Sequence, residues 1–221
     1  SAFALASDTA MLVMGGDLKR REKLSARLGD VFSSIYLASL VLKHFEDQGA
    51  PEEDLPLVEW SCRTLMYQAQ EQLHNFLRNF PNRLVAGILR LCIFPRGRTY
   101  FAPADKLGHD IVRLLTSPTP TRERLCAGIY KTDTGDNPLA QLQAALETVD
   151  SNSDISRKLK EAQRNDLIHA KNDLEAIDVA ESEGVLTAEE ARRLRDQDAQ
   201  VMELIKVDDF AAVEIGRRGG A

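Results

Sequence analysis

Two long apolar stripes separated by one short turn constrain this chain more than any other feature. From Leu28, positions 28, 31, 32, 35, 38, 42 and 45 follow the 3.6-residue period, while Leu37, Leu40 and Val41 fill the other side. Val58, Cys62, Leu65, Met66, Ala69, Leu73, Phe76 and Leu77 make the second stripe. Between them "EDQGAPEED", with Gly49 and Pro51, marks a turn, and Asp54 stands where a helix N-cap belongs. Pro81 in "NFPN" closes the second helix, because proline cannot continue the hydrogen-bond ladder. Two amphipathic helices joined this way form an antiparallel hairpin, the unit of a helical bundle. The first is apolar on nearly every face, so it is expected to be buried by several neighbours.

Around this hairpin the remaining pattern is also helical. Phe3, Leu5, Ala6, Ala10, Val13 and Met14 have helix-like spacing, which Gly15-Gly16 breaks, and the basic turn "DLKRREKLSAR" follows. Residues 82 to 94 read as a short helix, "PRGRTYFAPAD" as irregular, and Leu107, Ile111, Leu114 and Leu115 as a further helix. "SPTPTRERLCAGIY" and "KTDTGDNP" read as loops. Beyond them come shorter, more charged helices at 139–149, 155–163, 174–183 and 188–205, the last opened by a Thr187/Glu190 capping box. The tail "IGRRGGA" reads as disordered.

No alternating strand pattern stands out. The expected fold class is all-α: a bundle domain over 1–116, built on the hairpin, then a loop-rich segment and a small charged helical appendage over 117–221. The opening "SAFALASDTAMLVMGG" starts without Met and already in a helical pattern, so it reads as a piece of a longer chain.

Composition narrows the function classes. The 221 residues, 43% of them hydrophobic, can bury a sizeable core, and a net charge of -6 opposes nucleic-acid binding through bulk charge. Five basic residues lie between Lys19 and Arg27, but Asp17 and Glu22 interrupt them and no aromatic platform is interleaved, which favours a solvated helix face. Cys62, Cys92 and Cys126 stand apart among apolar neighbours and read as reduced core thiols. His44, His74, His109 and His169 sit beside the apolar stripes, at surface or edge positions. Glu52-Glu53, Glu189-Glu190 and Asp208-Asp209 fall at helix starts or in loops, where carboxylates complement the helix dipole. Gly15-Gly16 lacks the spacing and the strand of a phosphate-binding turn. The residues alone therefore name no catalytic, cofactor-binding or metal site.

One stretch, "RLVAGILRLCIFPRGRTY", stays open between two readings. From Leu84 to Phe94 it is apolar but for Arg90, and it is about half the length of a bilayer span; no apolar run reaches the roughly 20 residues a span needs. Between Arg78 and Arg113 seven Lys/Arg face two Asp. Leu84, Ile88, Leu91 and Phe94 could meet acyl chains while Arg96 and Arg98 meet anionic headgroups; equally, the segment could be a buried helix whose Arg90 reaches a carboxylate. A subunit contact would use the same seven residues: Leu84, Ile88, Arg90, Leu91, Phe94, Arg96 and Arg98.

"GGDLKRREKLSARLGDVFSSIYLASLVLK", "DLPLVEW", "NFPNRLVAGIL", "FPRGR", "PADKLGH" and "VDDF" occur in an order that resembles the C-terminal region of the large, membrane-associated bacterial acyl-CoA dehydrogenases, over nearly the whole chain. That resemblance implies a parent flavoprotein of fatty-acid β-oxidation. It would use FAD to turn acyl-CoA into trans-2-enoyl-CoA and hand electrons to an electron-transfer partner. A homo-oligomer in the cytoplasm is expected, with peripheral contact with the inner membrane as one of the two open readings of the 84–98 stretch, while the acidic total argues against a nucleic-acid partner. This region would then be an accessory domain without catalysis of its own. The family base stands in a Glu-Gly context, and Glu183-Gly184 repeats that dipeptide, but its polar setting "AESEGVLTAEE" does not suit the role. The alternative is an independent α-helical interaction module.

Overall fold

The computed structural model describes residues 1–130 and 137–206; most of the "KTDTGDNP" loop, the "VDDF" segment with Asp208-Asp209, and the tail lie outside them. Every regular element among the described residues is a helix, so the fold is all-α. The chain divides into two compact units, Ser1–Arg113 and Leu114–Ala221.

In the first unit α1 (Ala2–Met14) is capped by the Ser1 hydroxyl, which accepts from the Ala4 amide at 3.3 Å, and it ends at Gly15, whose φ of 51° suits glycine. The "basic turn" is a 3-10 turn over Gly15–Arg20, and α2 (Glu22–Asp47) begins straight after it, earlier than its apolar pattern suggested. The reason is Leu24, which extends the buried stripe Leu24, Leu28, Val31, Ser34 and Ala38 by one turn. That stripe packs against α3 (Leu55–Arg78), whose Ala69, Leu73, Phe76 and Leu77 are buried opposite it. Phe76 and Phe80 meet edge to face at 5.5 Å and plug the far end of the hairpin.

Within this chain α2 is covered on one side only, as expected of a helix whose other neighbours would come from the parent enzyme. It lies on α3 along one stripe and touches α1 near its start, while Phe32, Ile35, Tyr36, Leu37, Leu40 and Leu42 stand exposed. Among the described residues α2 is the one helix long and apolar enough, by length and composition, to cross a membrane; scattered charges had hidden this from a search for uninterrupted runs. Asp54 departs from expectation. It occupies the cap position of α3 but makes no capping bond, because the chain arrives through a 3-10 turn (Glu52–Asp54) that already sets its backbone to φ -87°, ψ -10° instead of an extended conformation.

The short helix α4 (Arg83–Ile93) is capped by Asn82, whose side-chain oxygen accepts from the Leu84 and Val85 amides at 3.1 and 3.2 Å. An irregular segment then leads to α5 (Asp105–Thr116), which contains the helix read there and buries no residue.

The second unit holds a helix that sequence reading treated as loop, α6 (Pro120–Cys126). Seven residues are too few to show a period, yet Thr119-Pro120 is a cap followed by a first-turn proline, and the Thr119 hydroxyl accepts from the Arg122 amide. α7 (Pro138–Ser151), α8 (Ser153–Arg164), α9 (Asp173–Ser182) and α10 (Ala188–Ile205) appear near where they were expected. The last three surround a small core of Ile155, Leu159, Ala162, Ile168, Ala176, Ile177, Ala180, Leu186, Ala191 and Leu194. Thr187 and Glu190 form the capping box of α10.

Candidate interaction surfaces

No group of three or more His, Cys, Asp or Glu among the described residues could hold a metal ion. The cysteines are free but not core thiols: Cys62 and Cys126 are half-buried, and Cys92 is exposed on α4. Burial still pushes the Cys62 thiol up, away from its reactive form. Glu183 closes α9 at the surface, and Gly184 turns the chain there with φ 69°.

The chemistry of this chain lies instead in how its surfaces are built. α3 presents Gln70 and Glu71 to the segment that follows α4, and His74 to α4 itself. Gln70 is 5% exposed, and its side-chain oxygen accepts from the Thr99 and Tyr100 amides at 2.8 and 2.9 Å while its Nε2 donates to the Tyr100 carbonyl at 2.9 Å. A side-chain amide thus copies the hydrogen bonding of a neighbouring strand and pins the loop. Glu71 accepts from Arg98 at 2.9 and 3.1 Å, and His74 Nδ1 lies 3.2 Å from the Arg90 guanidinium. A guanidinium only donates, so Nδ1 accepts and the ring is neutral. Desolvation, with Arg90, Arg98 and Arg78 nearby, holds the His74 pKa below its usual value despite Glu71. The pinned loop walls a cleft of about 410 Å³ whose lining includes Phe3, Ile35, Met66, Leu73, Phe94 and Arg96.

The seven sequence-predicted contact residues separate into distinct environments. Leu84, Ile88 and Leu91 are 81, 65 and 72% exposed and share the outer face of α4, whose inner face buries Ala86 and Leu89. Phe94 does not join them: it packs on the core and meets the His74 ring edge-on at 6.4 Å. Arg90 reaches His74 instead of a carboxylate, because the ring lies across the seam on α3. Arg98 is tied to Glu71, and Arg96 stands at the rim of the cleft. Gln70 was not foreseen; its only sequence signal is a polar residue beside Ala69 inside an otherwise apolar stripe.

A second open surface is the outer side of α2. Val31 to Leu42 carry no charge, Phe32 and Tyr36 are stacked at 6.1 Å, and Phe3 of α1 meets Phe32 at 5.8 Å. The family described as acyl-CoA dehydrogenase, C-terminal, bacterial type matches residues 1–210. The chain belongs to this family. No solved structure matches it.

Membership of the acyl-CoA dehydrogenase C-terminal family makes the parent enzyme an oxidoreductase. Asn82 and the capping box already take amides at the starts of α4 and α10, so those two helix ends are closed to the pyrophosphate of the flavin that such enzymes generally use.

Proposed function

We propose that this C-terminal domain serves its parent dehydrogenase as a packing and subunit-docking element, with the outer face of α2 as the covered surface. The parent, in this reading, is a flavin-dependent enzyme of fatty-acid β-oxidation in the cytoplasm that forms trans-2-enoyl-CoA and passes electrons to an electron-transfer partner. The chemistry FAD supplies when bound, acceptance of hydride from the acyl-CoA, is assigned to the catalytic body and to no residue of this chain.

The observation that carries the reading is a charge-free run of twelve residues, 31–42, from which six large apolar side chains are exposed. Patches of roughly 300–600 Å² are already the largest on a typical monomer and are often functional. At about 25 cal/mol per Å², covering ~400 Å² contributes about 10 kcal/mol before the cost of association. Serines 33 and 39 among the large residues leave room for side chains of an opposing surface.

The test uses the 221-residue chain and the double variant Tyr36→Lys/Leu40→Lys. The wild type is expected to self-associate at micromolar concentration through the uncovered face, and the double variant to sediment as a folded monomer. A wild-type chain that sediments as a monomer throughout that range would refute the reading.

A further inference from the structure

We propose that the cleft walled by the loop that Gln70 pins binds a small amphipathic carboxylate, a molecule with an apolar tail and a single negative charge at one end. The proposal goes beyond the docking role of α2 and does not depend on it, although Ile35 borders both surfaces. The cleft belongs to the first unit and is built by four helices: Phe3 comes from α1, Ile35 from α2, Met66 and Leu73 from α3, and Ile93 from the end of α4. Phe94 and the chain up to Tyr100 close the remaining side.

The lining is apolar at its base and cationic at its rim. Leu73 is buried and Met66, Ile93 and Phe94 are half-buried, so an apolar tail laid against them takes apolar surface on both sides out of water. Gln70, the buried polar group of the lining, is already engaged: its oxygen holds the Thr99 and Tyr100 amides, and its Nε2 gives one hydrogen to the Tyr100 carbonyl and keeps a second. No Asp or Glu lines the cleft, and Arg96 is the one cation in the lining among the described residues. Its neighbours in the sequence are committed elsewhere, Arg98 to Glu71 and Arg90 to His74. Arg96 is exposed and makes no ion pair or hydrogen bond among the described residues.

Charge and size select the occupant. An apolar floor with one unmatched guanidinium suits a ligand that is apolar along its length and negative at one end, and the planar fork of arginine matches a carboxylate. At about 410 Å³ the cleft lies near the lower end of the ~300–1,000 Å³ of ordinary ligand pockets, which suits a single chain better than a bulky body. A CoA thioester would bring several phosphate charges to this single cation, so the free acid fits and the thioester does not. The other clefts show no such polarity. That of about 720 Å³ in the second unit sets Arg157, Lys160 and Arg164 among Glu161, Asp173 and Asp198, and that of about 500 Å³ at the start of α4 sets Asp17 beside Arg21 and Arg83. Linings of both signs select no ion.

The test is an NMR titration of the 221-residue chain, isotopically labelled in its methionine methyl groups, with hexanoate, octanoate and decanoate. Met66 lines the cleft and Met202 lies on α10 in the second unit, so one reports binding and the other is the control. The Met66 resonance is expected to shift saturably while that of Met202 stays in place, and each added pair of methylenes should tighten binding about tenfold. Octanol and octylamine, with the same tail but no negative charge, should bind about fivefold more weakly than octanoate or worse. Arg96→Glu should weaken octanoate binding at least about tenfold, as should Ile35→Asp, which sets a carboxylate at the mouth. Both positions are exposed, so circular dichroism should show the fold intact. Tyr36→Lys/Leu40→Lys should retain binding, so failure of the α2 docking surface and failure of the cleft give different results. The proposal is overturned by the absence of a saturable Met66 shift with decanoate, by an equal shift at Met202, or by wild-type affinity in Arg96→Glu. Octanol or octylamine binding as tightly as octanoate would overturn it too, and so would tighter binding of octanoyl-CoA, which would give the cleft to the thioester.

Discussion

Replacing Gln70 by Ala should release the loop between α4 and α5 and little else. The substitution removes three hydrogen bonds, two from the Thr99 and Tyr100 amides and one to the Tyr100 carbonyl. At about 1 kcal/mol each they would sum to ~3 kcal/mol, but Thr99 and Tyr100 are exposed, so water replaces part of what is lost and about 2 kcal/mol remains. The Arg98–Glu71 pair persists, and an exposed pair of this kind holds the loop by less than about 1 kcal/mol. At ~1.4 kcal/mol per tenfold, the Thr99 and Tyr100 amides should exchange with solvent about 30-fold faster than in the wild type, while amides in the middle of α3 keep their relative protection. Gln70→Glu should fall between the two, since a carboxylate still accepts from both amides but opposes the Tyr100 carbonyl. Hydrogen exchange read residue by residue decides the matter. If both amides in Gln70→Ala exchange at wild-type rates, the side-chain clamp does not hold the loop and the account of the cleft wall fails with it.

Two further outcomes follow from the same structure. Because the His74 pKa is lowered on folding, the unfolded chain binds the proton more readily; stability contributed here is present above the ordinary histidine value and is lost as pH falls through the lower folded one. Chemical denaturation midpoints should therefore drop between pH 7.5 and pH 5.5 (roughly one unit either side of the usual histidine pKa of about 6.5), and less so in His74→Gln, so that equal drops in both would refute the assignment. Thr187→Ala should destabilise the second unit by about 1 kcal/mol in denaturant titration, through loss of the cap that accepts from the Glu190 amide; a variant with unchanged stability would show that the box adds nothing.

Helix positions were legible in the sequence because they depend on local periodicity and on caps. The Thr187/Glu190 box, the Pro81 stop and the stripe from Val58 to Leu77 all have local causes, and the structure keeps them. The misreadings have causes too. α6 is shorter than two turns and its capping signal passed for a loop, while the Asp54 cap failed because the preceding 3-10 turn, not the residue type, set its backbone. The candidate contact residues were legible only as a set. Sequence spacing put Phe94 with Leu84, Ile88 and Leu91, whereas the chain leaves the helix at Ile93 and turns Phe94 into the core.

By itself, then, the sequence determined that this chain makes helices, where most begin and end, that two of them form a hairpin, and which family it joins, since each of these follows from order and spacing along the chain. The tertiary structure alone decided which apolar faces stay open. A stripe's neighbours are set by packing across distant segments, and so only the folded chain shows α2 half-uncovered, Gln70 clasping a loop thirty residues away, and Phe3, Ile35 and Phe94 brought around one cleft.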